Sequence, residues 1–212
     1  MLHRIVGAVV ILLVLLSLAG CGLRHRYADV TADLRATGTE HVVVAAVDNR
    51  PYIVSGEKEK SFVGLMRSGA GIPFDVHTDG KKPFAQELAD AACRSLTRSK
   101  FRCSSEVLPP RDSDAALTQA LVRQNSSKAL LFTITQWKID TYAGTALWYE
   151  IQLAVRDRNG RTVATSAVQG KDVLGYSFIA PAIVATEEAP KTLKNKLEQL
   201  MNDTNVSAAL MK

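Results

Sequence analysis

The run His41-Val42-Val43-Val44-Ala45-Ala46-Val47 commits this chain to a particular architecture. From Val42 onward its side chains are all apolar and mostly β-branched, and the turn-forming run Asp48-Asn49-Arg50-Pro51 ends it. A strand whose side chains are apolar on both sides is covered on both faces of the sheet, because an exposed face would carry polar side chains. We therefore predict that residues 41–47 form a strand in the middle of a sheet.

The remainder of the first half alternates extended and helical patterns. Residues 61–67 predict a second strand, and residues 68–78 a glycine-broken loop that leads into a short extended piece. Apolar side chains recur every four residues from Phe84 to Leu96, which predicts an amphipathic helix ending near Ser99. The following signals predict a strand over 101–107 and, beyond Pro109-Pro110, a helix that Asp112 or Ser113 caps and that ends near Asn125.

The second half predicts an antiparallel meander. Residues 129–139 are largely apolar, and residues 141–144 after them predict a turn. Apolar and polar side chains then alternate over 147–156, and Asn159-Gly160 is typical of a two-residue hairpin turn, so residues 161–171 should return antiparallel. Beyond Pro181 and Pro190, four side chains share one helical face and predict a final helix: Leu193, Leu197, Leu200 and Met201.

These elements add up to an α+β fold. We expect a mixed β-sheet with two helices in the first half, an antiparallel three-strand meander in the second, and a C-terminal helix packed on the sheet. This order is broadly similar to the N-terminal domain of TolB and related periplasmic lipoproteins, and that resemblance implies an interaction module.

The charge pattern argues against nucleic-acid binding. The 212 residues include 26 lysines and arginines and 21 acidic residues, for a formal net charge of +5. The basic residues are scattered among acids and form no patch or stripe, which a nucleic-acid interface would need. An anionic envelope surface is a sufficient neighbour for such a balance.

The first twenty-one residues predict the cellular address. Arg4 precedes an apolar run from Ile5 to Leu16 that is too short to span a bilayer comfortably, and Leu18-Ala19-Gly20-Cys21 follows it. This pattern resembles the signal peptide and lipobox of bacterial lipoproteins. The resemblance implies cleavage before Cys21, acylation of that cysteine and insertion of its acyl chains into the bilayer. Gly22 in place of aspartate then favours the periplasmic face of the outer membrane. The alternatives are a plain secretory signal and an uncleaved anchor helix.

We accordingly divide the chain into four parts: signal peptide 1–20, lipidated tether 21–40, a single periplasmic domain 41–203, and a frayed tail 204–212. Residues 24–35 mix charged side chains with few large apolar ones, which is typical of a spacer. In an oxidising compartment, the exported pair Cys93 and Cys103 is more often bridged than free, so we predict a disulfide; two buried thiols are the alternative.

The most distinctive internal motif is the loop Ser68-Gly69-Ala70-Gly71-Ile72-Pro73-Phe74. It lacks the third glycine or the Gly-Lys-Ser/Thr ending of a phosphate-binding loop, and it indicates a tight bend with positive φ at Gly69 or Gly71. Together with Val47-Asp48-Asn49-Arg50 and Val63-Gly64, this loop resembles small Gram-negative lipoproteins of the YajG-like type. The resemblance implies an envelope lipoprotein and transfers no functional residue.

Two polar clusters are candidate sites. Only His41 and His77 lie inside the predicted domain, and Asp75, His77 and Asp79 alternate along an extended segment. Such a row could hold a cation such as zinc or position a general base, although short runs of this kind are more often solvated polar faces. Asp48-Asn49-Arg50 ends a buried strand, where open α/β sheets bind ligands, but beside Pro51 it is first of all a turn.

Aromatic side chains are the most suggestive surface feature. Trp148 falls on the polar side of its strand, and Trp137, Tyr142 and Tyr176 lie near strand ends. Tryptophan and tyrosine are enriched at binding hot spots. The alternative is that helices cover this face as well, which would make Trp148 a core residue.

Our main hypothesis is a non-catalytic outer-membrane lipoprotein that binds an envelope protein or polymer and needs no cofactor or metal. Its candidate binding residues are Gly69, Gly71, Phe74, Trp137 and Trp148. The alternative is a small envelope hydrolase or metal-dependent enzyme that uses Asp75, His77 and Asp79. A third hypothesis, an accessory subunit of an envelope transport or secretion machine, is a special case of the first.

Overall fold

The computed structural model describes residues 24–110, 113–177 and 180–212. Eight strands, five helices and one 3₁₀ turn (Asp79–Lys81) occur there. The strands are β1 Arg24–His25, β2 His41–Asp48, β3 Phe62–Arg67, β4 Pro73–Thr78, β5 Arg102–Leu108, β6 Lys128–Thr141, β7 Gly144–Asp157 and β8 Thr162–Tyr176. The helices are α1 Pro51–Val54, α2 Phe84–Arg98, α3 Ser113–Arg123, α4 Pro181–Met201 and α5 Thr204–Met211. Among these helices, none is both long and apolar enough to cross a bilayer.

All eight strands form one mixed sheet that divides along β6. One edge of β6 pairs with β7 over its whole length, and β8 pairs with β7. The other edge pairs in parallel first with β2, over 128–134, and then with β3, over 139–141. β5 extends the first branch, and β4 and β1 extend the second. Between the two branches, residues 135–138 of β6 have no described partner strand on this second edge, and we call this stretch the fork.

The predicted central strand is confirmed. β2 lies between β5 and β6, in parallel with both, and residues 42–47 are buried. Val42, Val44 and Ala46 belong to the main core under α2, α4 and α5, whereas the alternating side chains pack against α3. The α+β class, with a meander in the second half and C-terminal helices on the sheet, is likewise as predicted.

The β7–β8 hairpin forms at Asn159-Gly160, but its loop is wider than the predicted two residues. The Asp157 N–H donates to the Arg161 carbonyl across a three-residue loop, and Gly160 has φ +76°. The Asp157 carboxylate also accepts from the N–H groups of Asn159 and Arg161, at 2.8 and 2.9 Å. This side-chain support selects a three-residue loop with a left-handed glycine.

Residues 24–40 are packed on the domain, which corrects the predicted tether. β1 pairs with β4, and Tyr27, Val30, Ala32 and Ala36 are buried in the main core. The segment is also held by polar contacts, because the Ala32 N–H donates to Ser95 Oγ at 2.8 Å. Small alanines that fit closely against α2 supply apolar contact without any apolar pattern in the sequence.

Residues 204–211 are also ordered, which corrects the predicted frayed tail. They form α5, whose first turn is capped by Asp203 through its carboxylate and the N–H groups of Asn205 and Val206. Val206 and Leu210 are buried in the main core. The preceding helix α4 begins at Pro181 and continues through Pro190, so it is longer than the sequence predicted.

The two cysteines form the disulfide that we predicted. Cys93 on α2 and Cys103 on β5 are bonded, with their Cα atoms 5.6 Å apart. The bond links the helix to the edge strand beside it.

A third histidine, His25, lies inside the fold, whereas we had predicted only His41 and His77 there. Its side chain is 1 % exposed, and neither ring nitrogen has a hydrogen-bond partner among the residues that the structure describes. Its ring contacts Tyr27 edge to face, with centroids 6.3 Å apart. Burial lowers the pKa of His25 from 6.5 to about 4, because the charged imidazolium would lose its hydration.

We expect this burial to make the protein acid-sensitive. Between pH 6.5 and 4 the unfolded chain binds a proton at His25 that the folded chain does not, so stability falls as the pH falls. Below pH 4 the total loss of unfolding free energy from this group is about 3 kcal/mol. Urea unfolding at pH 7 and pH 4.5 measures it, with His25→Phe as the control that should remove this part of the pH dependence. An unchanged pH dependence in His25→Phe would contradict the prediction.

Candidate functional site

The structure separates the two tryptophans. Trp137 is fully buried: its ring stacks on Phe84 with centroids 4.9 Å apart, and its indole N–H donates to the Tyr27 hydroxyl at 3.2 Å. Trp137 is therefore a core residue, and our prediction that it binds a partner is wrong. Trp148 is half-buried on the opposite face of the sheet.

Over the meander, none of the described helices covers that opposite face. Helix α3 packs against β5, β2 and the start of β6, whereas alternate side chains of β8 from Val163 to Val173 are exposed on the same side. We call this surface of β6, β7 and β8 the open face. A face that helices do not cover is available to a partner.

Trp148 lies at the centre of a cationic row on the open face. Lys138, Trp148 and Lys171 stand directly opposite one another on β6, β7 and β8. The two ammonium groups lie 5.5 and 4.8 Å from the centroid of the indole ring, within the range of cation–π attraction. Among the described residues, neither lysine has a carboxylate within ion-pair distance.

The next polar groups toward the end of the sheet are already paired. Asp140 accepts two hydrogen bonds from the Arg67 guanidinium, at 3.0 and 2.8 Å, so β6 and β3 are joined there by a bidentate ion pair. Val173 lies two residues after Lys171 on the same face of β8 and is 59 % exposed. Asp140 is thus already paired with Arg67, whereas Lys138 and Lys171 beside Trp148 have no ion-pair partner among the described residues.

The glycine loop forms the tip of the β3–β4 hairpin. The Ser68 N–H donates to the Ile72 carbonyl at 2.9 Å, and the required positive φ occurs at Gly71, which has φ +81°. Gly69 is exposed, and its carbonyl accepts a hydrogen bond from the Tyr142 hydroxyl at 3.3 Å. Phe74, the second residue of β4, is 56 % exposed. The loop and the β6–β7 turn therefore lie together at one end of the sheet.

Asp75, His77 and Asp79 do not form a common site. Asp75 pairs with Lys58 at 2.8 Å, the Nδ1 atom of His77 lies 2.9 Å from Ser61 Oγ, and Asp79 lies 3.8 Å from the Arg24 guanidinium. In the part of the chain that the structure describes, no three histidine, cysteine or acidic side chains are grouped so that they could hold a metal ion. The three residues instead act as separate surface contacts.

Arg50 fills the fork, a role that the sequence did not reveal. Its side chain is fully buried and binds both carboxylate oxygens of Asp48, at 2.8 and 2.7 Å. It also donates to the carbonyls of Phe62, at 2.6 Å, and Trp137, at 3.4 Å. Since these carbonyls lie where the two branches separate, Arg50 replaces hydrogen bonds that a continuous strand would have made.

A cleft of about 690 Å³ opens beside this ion pair, at the carboxyl ends of β2 and β5. Asp48 and Lys60 are its charged lining residues, and the remaining lining is largely apolar: Ile53, Val54, Pro83, Ala85, Val107, Leu108, Pro109 and Pro110. The Asp48-Asn49-Arg50 run thus does reach a strand-end cleft, but its charges are satisfied by each other.

One solved structure has a similar fold. No protein-family model matches the chain, and no curated protein matches it. Protein XCC0632 from Xanthomonas campestris, of the family DUF330, matches over 85 % of this chain and 93 % of its own, with a TM-score of 0.52 and 15 % identity. At this identity the likeness is one of fold.

Two further structures give lower scores. Lipoprotein GNA1162 from Neisseria meningitidis has a TM-score of 0.36 at 11 % identity, over 74 % of this chain and 99 % of its own. The C-terminal domain of LpoB from Salmonella enterica has a TM-score of 0.28 at 13 % identity, over 66 % and 88 %.

Proposed function

We propose that the chain is a lipoprotein held by acylated Cys21 in the outer membrane, where its domain acts as a non-catalytic binding or assembly module for an envelope protein or polymer. Cys21 lies outside the described residues, and the lipobox pattern of residues 18–21 supports its acylation. The Cys93–Cys103 disulfide is in keeping with an exported protein.

The observation that carries the binding role is the row Lys138, Trp148 and Lys171. The indole supplies a large rigid contact surface, and tryptophan is among the residues that dominate binding energy at interfaces. The two ammonium groups that flank it lack carboxylate partners among the described residues, so a partner that brings carboxylate or phosphate groups would complete the row. The separated partners of Asp75, His77 and Asp79 give the enzyme hypothesis no comparable support.

A crosslinking experiment tests this role. Full-length protein carrying a photo-reactive amino acid at position 169, on the open face beside Lys171, is irradiated in intact cells, and adducts are identified by mass spectrometry. We expect Trp148→Ala to lower the adduct yield about tenfold, as for a binding hot spot. Val122→Ala, at a position on α3 that is 75 % exposed, is the control and should leave the yield unchanged.

Two outcomes would contradict the proposal. One is an adduct yield that Trp148→Ala and Val122→Ala affect equally. The other is a mature protein whose N-terminal peptide carries an unmodified Cys21, because the anchor would then be absent.

A further inference from the structure

The packing of residues 24–40 leaves very little chain between the anchor and the domain. The described structure begins at Arg24, which is already paired with His77 of β4. Cys21 precedes Arg24 by three residues, which span at most about 10 Å even when fully extended. If the acyl chains of Cys21 enter the bilayer, Arg24 lies within that distance of the headgroups, so the domain itself must contact the membrane.

The strand direction shows which part of the domain is closest. β1 runs parallel to β4, with Arg24 opposite His77 and His25 opposite Thr78. The chain therefore enters β1 from the end of β4 that carries Pro73 and Phe74. From His77 back to Phe74 is a distance of about 10 Å along the strand, which equals the reach of the three preceding residues.

The β3–β4 hairpin at that end exposes apolar side chains. Ile72 is 57 % exposed and Phe74 56 % exposed, although both are large hydrophobic residues. Phe74 stands opposite Met66 on β3 and shares a sheet face with the buried Val76 two residues on, so it continues the core face beyond the cover of the helices. Tyr142, 49 % exposed, binds the tip of the same hairpin through its hydroxyl.

We infer that the tip of the β3–β4 hairpin, with Ile72 and Phe74, lies in the headgroup layer of the bilayer that holds Cys21. This inference rests on the proposed acylation of Cys21. Aliphatic and aromatic side chains bind at the membrane interface by burying apolar area, and tyrosine is enriched at the level of the headgroups. The hairpin is then a second, noncovalent contact that fixes the orientation of the domain on the membrane.

A fluorescence experiment on the full-length acylated protein tests the inference. The protein is purified from membranes and reconstituted into vesicles of phosphatidylethanolamine and phosphatidylglycerol, with or without bromine on the acyl chains near the headgroups. Phe74→Trp places an indole at the hairpin. Val163→Trp is the control, because Val163 is 53 % exposed but lies near the start of β8. Gly175, near the other end of β8, pairs with Thr145 beside the β6–β7 turn, and Val163 is roughly 40 Å along the strand from Gly175.

The fluorescence of the parent protein, which carries Trp137 and Trp148, is subtracted to leave that of the added indole. We expect bromine to lower this difference roughly twofold for position 74, because an indole at headgroup level lies close to the quencher. The indole added at position 163 should show no change. Equal quenching at the two positions, in protein whose Cys21 is acylated, would overturn the inference. So would a photo-crosslinker at position 74 that captures a protein in cells while Phe74→Trp is not quenched, since the hairpin would then bind a protein.

The same experiment separates this inference from the proposed function. Mass spectrometry of the N-terminal peptide reports acylation of Cys21 independently of the hairpin. Without acylation the proposed anchor fails, and the inference fails with it. With acylation and vesicle association intact, the comparison of positions 74 and 163 decides the inference alone.

Discussion

Replacing Arg50 with methionine should lower the free energy of unfolding by about 3–5 kcal/mol. Methionine can occupy much of the same volume, so the loss comes from polar groups and not from an empty cavity. The Asp48 carboxylate, only 7 % exposed, would be left as a buried charge without its counter-ion. Removing one partner of a buried pair is costly for that reason, whereas removing both is much less so.

The fork adds to the cost. Arg50 donates to the carbonyls of Phe62 and Trp137 and, at 3.3 Å, to that of Lys60. The Trp137 carbonyl would keep the Tyr52 hydroxyl as a donor, and the Lys60 carbonyl would keep the Phe84 N–H, both at 2.9 Å. The desolvation penalty of a buried carbonyl that loses its donor therefore falls mainly on Phe62. The guanidinium also lies 5.2 Å from the centre of the Phe84 ring, so methionine would lose a cation–π contact as well.

Arg67→Met provides the matched control. Arg67 also forms a bidentate pair with an aspartate, but its side chain is 35 % exposed, against 0 % for that of Arg50. The Asp140 carboxylate that remains is 15 % exposed, so water reaches it. We expect a loss of about 1 kcal/mol or less for this pair. Urea unfolding of both variants measures the difference. If Arg50→Met costs no more than Arg67→Met, the fork does not depend on Arg50. The double variant Asp48→Leu/Arg50→Met should recover part of the loss.

Much of the fold could be predicted where one periodic pattern dominates. The apolar run 42–47 predicted the central strand, and the alternation from Leu147 to Val155 predicted β7, because burial on two faces and on one face leave different patterns. The segment 24–40 could not be predicted in this way. Its buried side chains, Tyr27, Val30, Ala32 and Ala36, follow neither a helical nor a strand period, and their burial depends on the shape of α2 and α4.

The candidate site was predicted in part. Trp148 lies on the open face, as its strand alternation indicated, and the loop around Gly69 and Gly71 is exposed at the end of the sheet. The cationic partners of Trp148 were not predicted, because Lys138 and Lys171 come from two other strands. Their meeting depends on the register of both hairpins, and a shift of one residue would move each lysine to the opposite face.

Trp137 was predicted to bind a partner because it is an aromatic residue near a strand end, and the sequence does not show the local irregularity of β6 that turns its side chain into the core. The pairing with β7 shifts between Ile134 and Gln136, which marks a β-bulge at Thr135. In a regular strand Trp137 would face away from Ile134, since side chains alternate. The extra residue reverses the alternation, so that Ile134 and Trp137 both face the main core. The bulge lies at the fork, where β6 changes partners from β2 to β3.

Truncation of the two tryptophans should therefore lower the free energy of unfolding by very different amounts. We expect Trp137→Ala to lower the free energy of unfolding by about 3–5 kcal/mol, because it leaves a large cavity between Phe84 and Tyr27 and removes the donor to the Tyr27 hydroxyl. Trp148→Ala, on the open face, should cost about 1 kcal/mol or less, since water can occupy the space and the neighbouring lysines are solvated.

Urea unfolding of Trp137→Ala, Trp137→Phe and Trp148→Ala measures this contrast. Trp137→Phe keeps an aromatic ring beside Phe84 and should lose less than Trp137→Ala, because part of the volume stays filled. The order of losses should be Trp137→Ala, then Trp137→Phe, then Trp148→Ala. Equal losses at positions 137 and 148 would mean that the bulge does not turn Trp137 into the core, and the open face would then lose the distinction on which its binding role rests.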